Sequence, residues 1–157
     1  MLYLIPAPAH RLALRIAHAL RQRWWRVARP RLAGCRILAF DAEARVLLVR
    51  HSYGSRHWMP PGGGLRRHED PLDAARRELL EETACRLETA IAVAFVGERL
   101  HGAGNAVHVV AGLTRDMPRP DGREIIAAQF FALDALPPRL REQLPDWVRA
   151  ARAARPD

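Results

Sequence analysis

Three glutamates, Glu78, Glu81 and Glu82, stand at i, i+3 and i+4 in the stretch RRELLEETAC, residues 76–85. On a helix these positions are neighbours on one face, where like charges repel. On a helical wheel they fill one arc beside the apolar arc of Leu72, Ala75 and Leu79, so they border the core rather than lie opposite it. Carboxylates at such a rim are hard oxygen ligands, and a divalent cation turns their repulsion into stability. Mg2+ suits sites with few carboxylates that also hold substrate phosphates. A solvated acidic face is the commoner fate of such charges. The loop upstream shifts the balance. Pro61-Gly62-Gly63-Gly64 precedes the helix, and glycines let a backbone approach a phosphate or ion closely. Alone, those glycines describe a plain tight turn equally well.

The elements that must position these groups are legible from periodicity and punctuation. Asp70-Pro71 opens the glutamate helix, with Asp70 as N-cap and Pro71 at the first helical position. Asp73 puts negative charge in the first turn, where the helix dipole favours it. Upstream, residues 35–41 and 45–51 read as two strands of a hairpin, and residues 58–64 (WMPPGGG) as a turn-rich loop. Downstream, strand-like runs fall at 89–97, 105–114 and 125–133, and Pro137-Pro138 precedes a helical tail to about Arg155. Strands mixed with helices point to an α/β or α+β domain.

A chain of 157 residues is long enough for one domain with a fair-sized core. No run of about 18 apolar residues is present, which excludes a helical membrane span. Two cysteines, Cys35 and Cys85, are too few for a disulfide framework and fit a reducing compartment. No early segment has the build of a secretory signal, so a cytoplasmic location is expected. Every basic residue is arginine; with so much alanine, this reads as a coding bias. Residues 1–40 carry eight arginines and no acid, while the remainder is balanced, so the net charge of +8 resides in the N-terminal quarter. A pI of 11.2 invites a nucleic-acid reading, which that distribution weakens for the main domain.

The pieces together resemble a known family. Gly63, five residues, Glu69, seven residues, then Arg77-Glu78-Leu79-Leu80-Glu81-Glu82 is similar to the Nudix box of the Nudix hydrolases, G-x5-E-x7-R-E-U-x-E-E-x-G-U with U a bulky aliphatic residue. The box spans residues 63–85, and Trp58-x-x-Pro61-Gly62-Gly63 looks like the family's lead-in. Two positions depart: Ala84 stands for the family glycine and Cys85 for the final aliphatic. An alanine forced into a left-handed turn there costs on the order of 1–2 kcal/mol, unless the helix ends differently. Arg66 stands where many relatives carry an acid.

The resemblance implies an α/β/α sandwich with a mixed β-sheet, in a domain taken as residues 34–157; charge and periodicity read residues 1–33 before it as a basic amphipathic helical arm. It implies a Mg2+- or Mn2+-dependent hydrolase that cleaves the pyrophosphate of a nucleoside diphosphate linked to another moiety. Glu78, Glu81 and Glu82 would be metal ligands, with the Gly63 carbonyl a further one. Glu69 and Arg77 would stand behind them, Arg77 holding a glutamate in its ligating pose. The catalytic set expected is Glu81, Glu82, Glu124 and Arg77. Glu124 is preferred over Glu98 as general base, because GREIIAAQFFALDALP looks like the family's closing strand. Two rivals stand beside this reading: a non-catalytic nucleotide-sensing module of the same fold, and an RNA 5′-pyrophosphohydrolase. Complete retention of the three glutamates argues against the first.

The substrate is a small nucleotide on this reading, without a marker for its branch. The position about sixteen residues past the box, where the ADP-ribose type carries proline and the dinucleoside polyphosphate type tyrosine, falls at Leu100-His101-Gly102. His101, Asn105 and His108 could touch a substrate, and Tyr53 and Trp58 could stack on a base; core packing explains the aromatic pair as well. In the arm, Leu12, Ile16, Leu20, Trp24 and Val27 form one apolar stripe. Three roles fit residues 9–29: docking on the domain or on a second copy, association with an anionic membrane surface, and, less favoured, phosphate contacts to RNA.

Overall fold

The computed structural model describes residues 8–9, 12–17, 20, 32–55, 57–100, 103–140 and 144–153. Among these, five strands form one sheet: β1 (Leu32–Phe40), β2 (Val46–His51), β3 (Ile91–Leu100), β4 (Ala103–Leu113) and β5 (Ile125–Phe131). The order is β3-β4-β1-β2-β5. β1 runs parallel to β4, and the other neighbours are antiparallel, so the sheet is mixed. Helix α1 (Pro71–Thr83) covers one face and helix α2 (Leu144–Ala153) the other. This is the α/β/α sandwich.

The two faces explain the sequence of β1. Cys35, Ile37 and Ala39 pack beneath α1 with Ala74, Ala75 and Leu79, while Leu38 and Phe40 pack beneath α2 with Leu144, Val148 and Ala151. A strand covered on both sides reads as a continuous apolar run, not as an alternation. The expected helical tail is α2, Leu144–Ala153 among the described residues. A 3-10 turn at Pro138–Leu140 comes first, and residues 154–157 lie outside the described residues.

The expected hairpin is only partly a hairpin. β1 and β2 pair at Phe40↔Val46 and then part. The glycine loop enters between them: Val49 and Met59 exchange both backbone bonds, at 2.8 and 3.0 Å, and Ile37 N–H donates to Pro61 O and Cys35 N–H to Gly63 O, each at 2.9 Å. The reason is chemical. A buried strand cannot leave its amides unpaired, and Pro60, Pro61 and three glycines cannot build a regular strand of their own. The loop therefore serves as a partner to both strands at once, and it is held rigidly beside α1.

Helix α1 starts as its sequence dictates, with the Asp70 carboxylate accepting from Leu72 N–H at 2.8 Å. It ends on Ala84, whose φ of 59° and ψ of 16° are left-handed, with its N–H on Leu80 O. The alanine thus occupies the turn that the family gives to glycine, and carries the steric cost of its Cβ. Ala84→Gly is expected to stabilise the chain by on the order of 1 kcal/mol after the added freedom of the unfolded chain is subtracted. That is a rise in melting temperature of roughly 2–4 °C, readable by calorimetry.

In the arm, residues 12–17 are helical, and Leu12, Ile16 and Leu20 are exposed. These three positions do not dock on the domain. Trp24 and Val27 lie outside the described residues. Among the described residues no helix is long and apolar enough to cross a membrane.

Candidate active site

Helix α1 sends its three glutamates in different directions. Glu82 turns inward and is buried, with 7% exposure; its Oε2 accepts from Gly62 N–H at 3.1 Å. Glu78 is half-buried beside Gly63, so close that a Cβ on that glycine would stand 2.6 Å from its carboxylate. Glu81 faces solvent and meets Arg66 and Arg77 at 3.4 Å each. Among the described residues no group of three or more His, Cys, Asp or Glu side chains is gathered closely enough to hold a metal ion. The sequence placed the three on one arc; the fold divides them into two inner carboxylates and one outer.

Arg77 organises this region. Its Nε and one terminal nitrogen fork onto Glu69 at 2.7 and 2.8 Å, the bidentate geometry that guanidinium provides and ammonium does not. It also donates to Glu78 Oε1 at 2.6 Å and to Gly64 O at 3.2 Å. Arg66 N–H donates to the same Glu69 at 2.8 Å. Hydrogen bonds from Arg77 first, then from the Arg66 amide, hold the Glu69 carboxyl at about 2. Arg77 itself is held charged, above its ordinary value, by Glu69 and Glu78. One side chain thus ties the loop, the start of the box and the helix together. Arg77→Lys keeps the charge and loses the fork, so Glu78 loses its fixed pose. With Glu78 in the ligand role proposed below, the expected result is a folded protein with roughly 10–100-fold less turnover, the usual worth of a group that orients a ligand.

The electrostatics of the inner pair are unfavourable as they stand. Burial pushes the Glu82 carboxyl up to about 8, with Glu78 and Glu124 adding to the rise and the Gly62 amide and Arg36 opposing it. Burial also raises Glu78, against the pull of Arg77, with Glu81 and Glu124 pushing the same way. So Glu124, distant in sequence, lies within electrostatic reach of both. The Gly63 carbonyl accepts from Cys35 N–H, which leaves its second lone pair for any further contact.

Other residues singled out in the sequence are dispersed. Trp58 packs edge-on against Phe131 at 4.9 Å and lies under the Arg50 guanidinium at 5.2 Å. His108 meets Phe95 at 4.9 Å on β3. Glu98 and Asn105 oppose each other across β3 and β4, but their side chains, and all of His101, lie outside the described residues. A cavity of about 670 Å3 opens at the far ends of β1 and β4 near α2, lined by Phe40, Ile91, Leu113, Leu133 and Arg152, and none of the carboxylates of α1 reaches it.

Three features escaped the sequence reading. The Gly62 amide is the donor to Glu82. The Tyr53 hydroxyl donates to Glu124 Oε1, a use for that phenol other than base stacking. Asp121 accepts from the amides of Arg123, Glu124 and Ile125 at 2.9, 3.3 and 3.0 Å. Only the last had a local signal, since Asp-Gly is a turn dipeptide whose carboxylate caps following amides.

A helix rimmed by carboxylates, a glycine loop wedged between two strands and a mixed sheet between two helices define one class. The NUDIX domain model matches residues 30–151, and the chain belongs to that family. It is similar to the RNA pyrophosphohydrolase of Bartonella bacilliformis, with 43% identity over 36% of this chain and 38% of that protein. The chain therefore matches well under half the length of this curated relative. In fold it is similar to the MutT NUDIX hydrolase of Burkholderia pseudomallei, with a TM-score of 0.66 and 25% identity over 77% of this chain and 98% of the other. The NUDIX domain of Shewanella oneidensis NrtR, solved with ADP ribose, has a TM-score of 0.64 at 18% identity over 78% and 88% of the two chains; that likeness is one of fold.

Proposed function

We propose that this chain is a metal-dependent Nudix hydrolase that cleaves the pyrophosphate of a nucleotide or nucleotide conjugate. The observation that carries the reading is the buried Glu82, raised to about 8 with no cationic side chain bonded to it among the described residues, beside Glu78 and within reach of Glu124. The ionised form of such a group is costly unless something positive joins it. The donors are all hard oxygens, and Mg2+ needs only one or two protein carboxylates because water and substrate phosphate complete its shell. The site thus fits that ion, with Glu78 and Glu82 as holders and the Gly63 carbonyl and Glu81 as further candidates. When bound, Mg2+ or Mn2+ supplies charge to neutralise the phosphoryl oxygens and polarise water.

The chain's own residues then have distinct tasks. Arg77 keeps Glu78 in one pose and Glu69 behind it. The Gly62 amide fixes the direction of Glu82. Glu124 takes the proton of the attacking water as its oxygen bonds to phosphorus, and the bridging P–O bond breaks with its electron pair leaving on the departing phosphate.

The test is hydrolysis of a panel: nucleoside triphosphates, oxidised ones included, ADP-ribose, nucleotide sugars, dinucleoside polyphosphates and RNA bearing a 5′-triphosphate, with Mg2+ or Mn2+ and beside Glu82→Gln. Metal-dependent turnover that collapses in the variant supports the reading. Nucleotide binding without turnover of any substrate replaces it with a sensing module. RNA is the second reading, favoured by the 43% identity to an RNA pyrophosphohydrolase and by arginines that could meet RNA phosphates. It requires 5′-triphosphate RNA to outrank the small nucleotides.

In the arm, taken as residues 1–33 beside a domain at 34–157, the exposed Leu12, Ile16 and Leu20 support a contact outside the domain, with an anionic membrane surface or a second copy. Flotation with anionic vesicles and sedimentation, with and without residues 1–30, separate the two.

A further inference from the structure

The carboxylate at Glu124 is held from two sides. On its own loop, the Asp121 carboxylate collects the amides of Arg123, Glu124 and Ile125, which fixes the backbone immediately before β5. From the end of β2, Ser52 N–H donates to Glu124 O at 2.8 Å, and one residue further the Tyr53 hydroxyl donates to Glu124 Oε1. The backbone contact and the side-chain contact come from adjacent residues, so the loop after β2 grips Glu124 at both ends. Tyr53 is itself braced: its ring lies 5.6 Å from the His51 ring. Glu124 is half-buried and close enough to Glu78 and Glu82 to raise both. Once the carboxylates of Glu78 and Glu82 are ionised, their like charge would drive a free glutamate side chain outward. The phenol opposes that displacement.

We propose that Tyr53 is a positioning residue for hydrolysis: by donating its hydroxyl to Glu124 Oε1, it holds Glu124 against α1 with Oε2 as the oxygen that receives the proton of the attacking water. The inference rests on the hydrolase reading above. It is separate from any stacking of Tyr53 on a nucleobase, because a phenol engaged with a carboxylate acts through that carboxylate. In the step, water forms the new O–P bond and gives its proton to Glu124 Oε2. The bridging P–O bond breaks, and its electron pair leaves on the departing phosphate. Tyr53 keeps its proton throughout.

A mutant cycle on the full-length protein tests this, read on the best substrate of the panel. Glu124→Gln is expected to lower kcat by ~100-fold or more, the usual worth of a positioned base. Tyr53→Phe removes one oxygen and leaves the ring. It is expected to lower kcat by roughly tenfold with KM unchanged within about twofold, as mispositioning does. Tyr53→Phe added to Glu124→Gln should then cost little more, because the phenol no longer has a base to place. Melting curves of all three variants should stay near that of the parent chain. Losses that multiply in the double variant, a rise in KM at constant kcat, or an unchanged Tyr53→Phe each overturn the assignment to Tyr53, and the hydrolase reading survives them. An unmodified chain that turns over nothing on the panel overturns both.

Discussion

Replacing Glu82 with glutamine is expected to abolish turnover and, in the absence of metal, to make the protein more stable. The catalytic loss follows from the ligand role proposed for Glu82. Groups that only orient a ligand are worth about 10–100-fold, so loss of a ligand itself should cost at least about 100-fold. The stability gain follows from burial. In the folded chain the Glu82 carboxyl sits at about 8 against an ordinary 4.5, chiefly through desolvation. A raised carboxyl means that the folded chain binds the proton more tightly than the unfolded one. Its stabilising effect is complete below the unfolded value and lost as pH rises through the folded value. The parent chain should therefore lose stability between roughly pH 4.5 and 8 through this group, on the order of a few kcal/mol at about 1.4 kcal/mol per unit. Glutamine keeps an oxygen for the Gly62 amide and has no charge to desolvate. Urea midpoints in EDTA at pH 5 and 8.5 read the effect: the variant should exceed its parent mainly at the higher pH. With saturating Mg2+ the order should reverse, since only the parent gains from the ion. A variant that is less stable than its parent at both pH values in EDTA would remove the premise of a strained, cation-seeking carboxylate.

The second large effect separates two adjacent glycines. At Gly62 the backbone has a φ of 146°, and an added Cβ would stand 2.1 Å from Cys35 O and 3.0 Å from Cys35 C. Both obstacles are backbone of β1, a strand covered on both faces, and cannot yield. At Gly63 the atoms nearest to the added Cβ are the end of the Glu78 side chain, at 2.6 Å, and that carboxylate can swing away. Gly62→Ala is therefore expected to cost more than about 3 kcal/mol, a large part of a typical domain's margin, and to leave little cooperative unfolding. Gly63→Ala should fold with a melting temperature within a few degrees of the parent, while turnover falls because Glu78 has left its place beside Arg77. Circular dichroism melts and metal-dependent rates on the two variants together make the check. Equal loss of fold in both would mean that the loop is simply intolerant of side chains.

These two expectations also show which parts of the molecule could be read in advance. Asp70, Pro71 and the stripe of Leu72, Ala75 and Leu79 announced α1 because capping and periodicity are local physics. The strand runs were visible for the same reason. What could not be read was the path of WMPPGGG between β1 and β2, because that depends on which amides a buried strand leaves open. The division of the glutamates was hidden too. Their spacing makes them neighbours on a wheel, but only the packed sheet decides that Glu82 turns toward Gly62 while Glu81 turns toward Arg66. The Tyr53–Glu124 contact joins residues 71 positions apart and has no local signature at all.

The parallel pairing at the centre of the sheet has a kinetic consequence. β1 meets β4 through nine successive registers, from Leu32↔Asn105 to Phe40↔Leu113, each partner more than seventy positions further along the chain. Closing so long a loop spends chain entropy before any contact repays it. The hairpin of β3 and β4 and the helix α1 can form early from local contacts. The zipper between β1 and β4 is then expected to be the slow step of refolding. The glycine loop and α1 lie inside that loop in sequence, and the amides of β1 anchor Gly63 and Pro61. Recovery of any metal-dependent activity after denaturation should therefore lag behind recovery of helical signal and coincide with the final closure of the sheet.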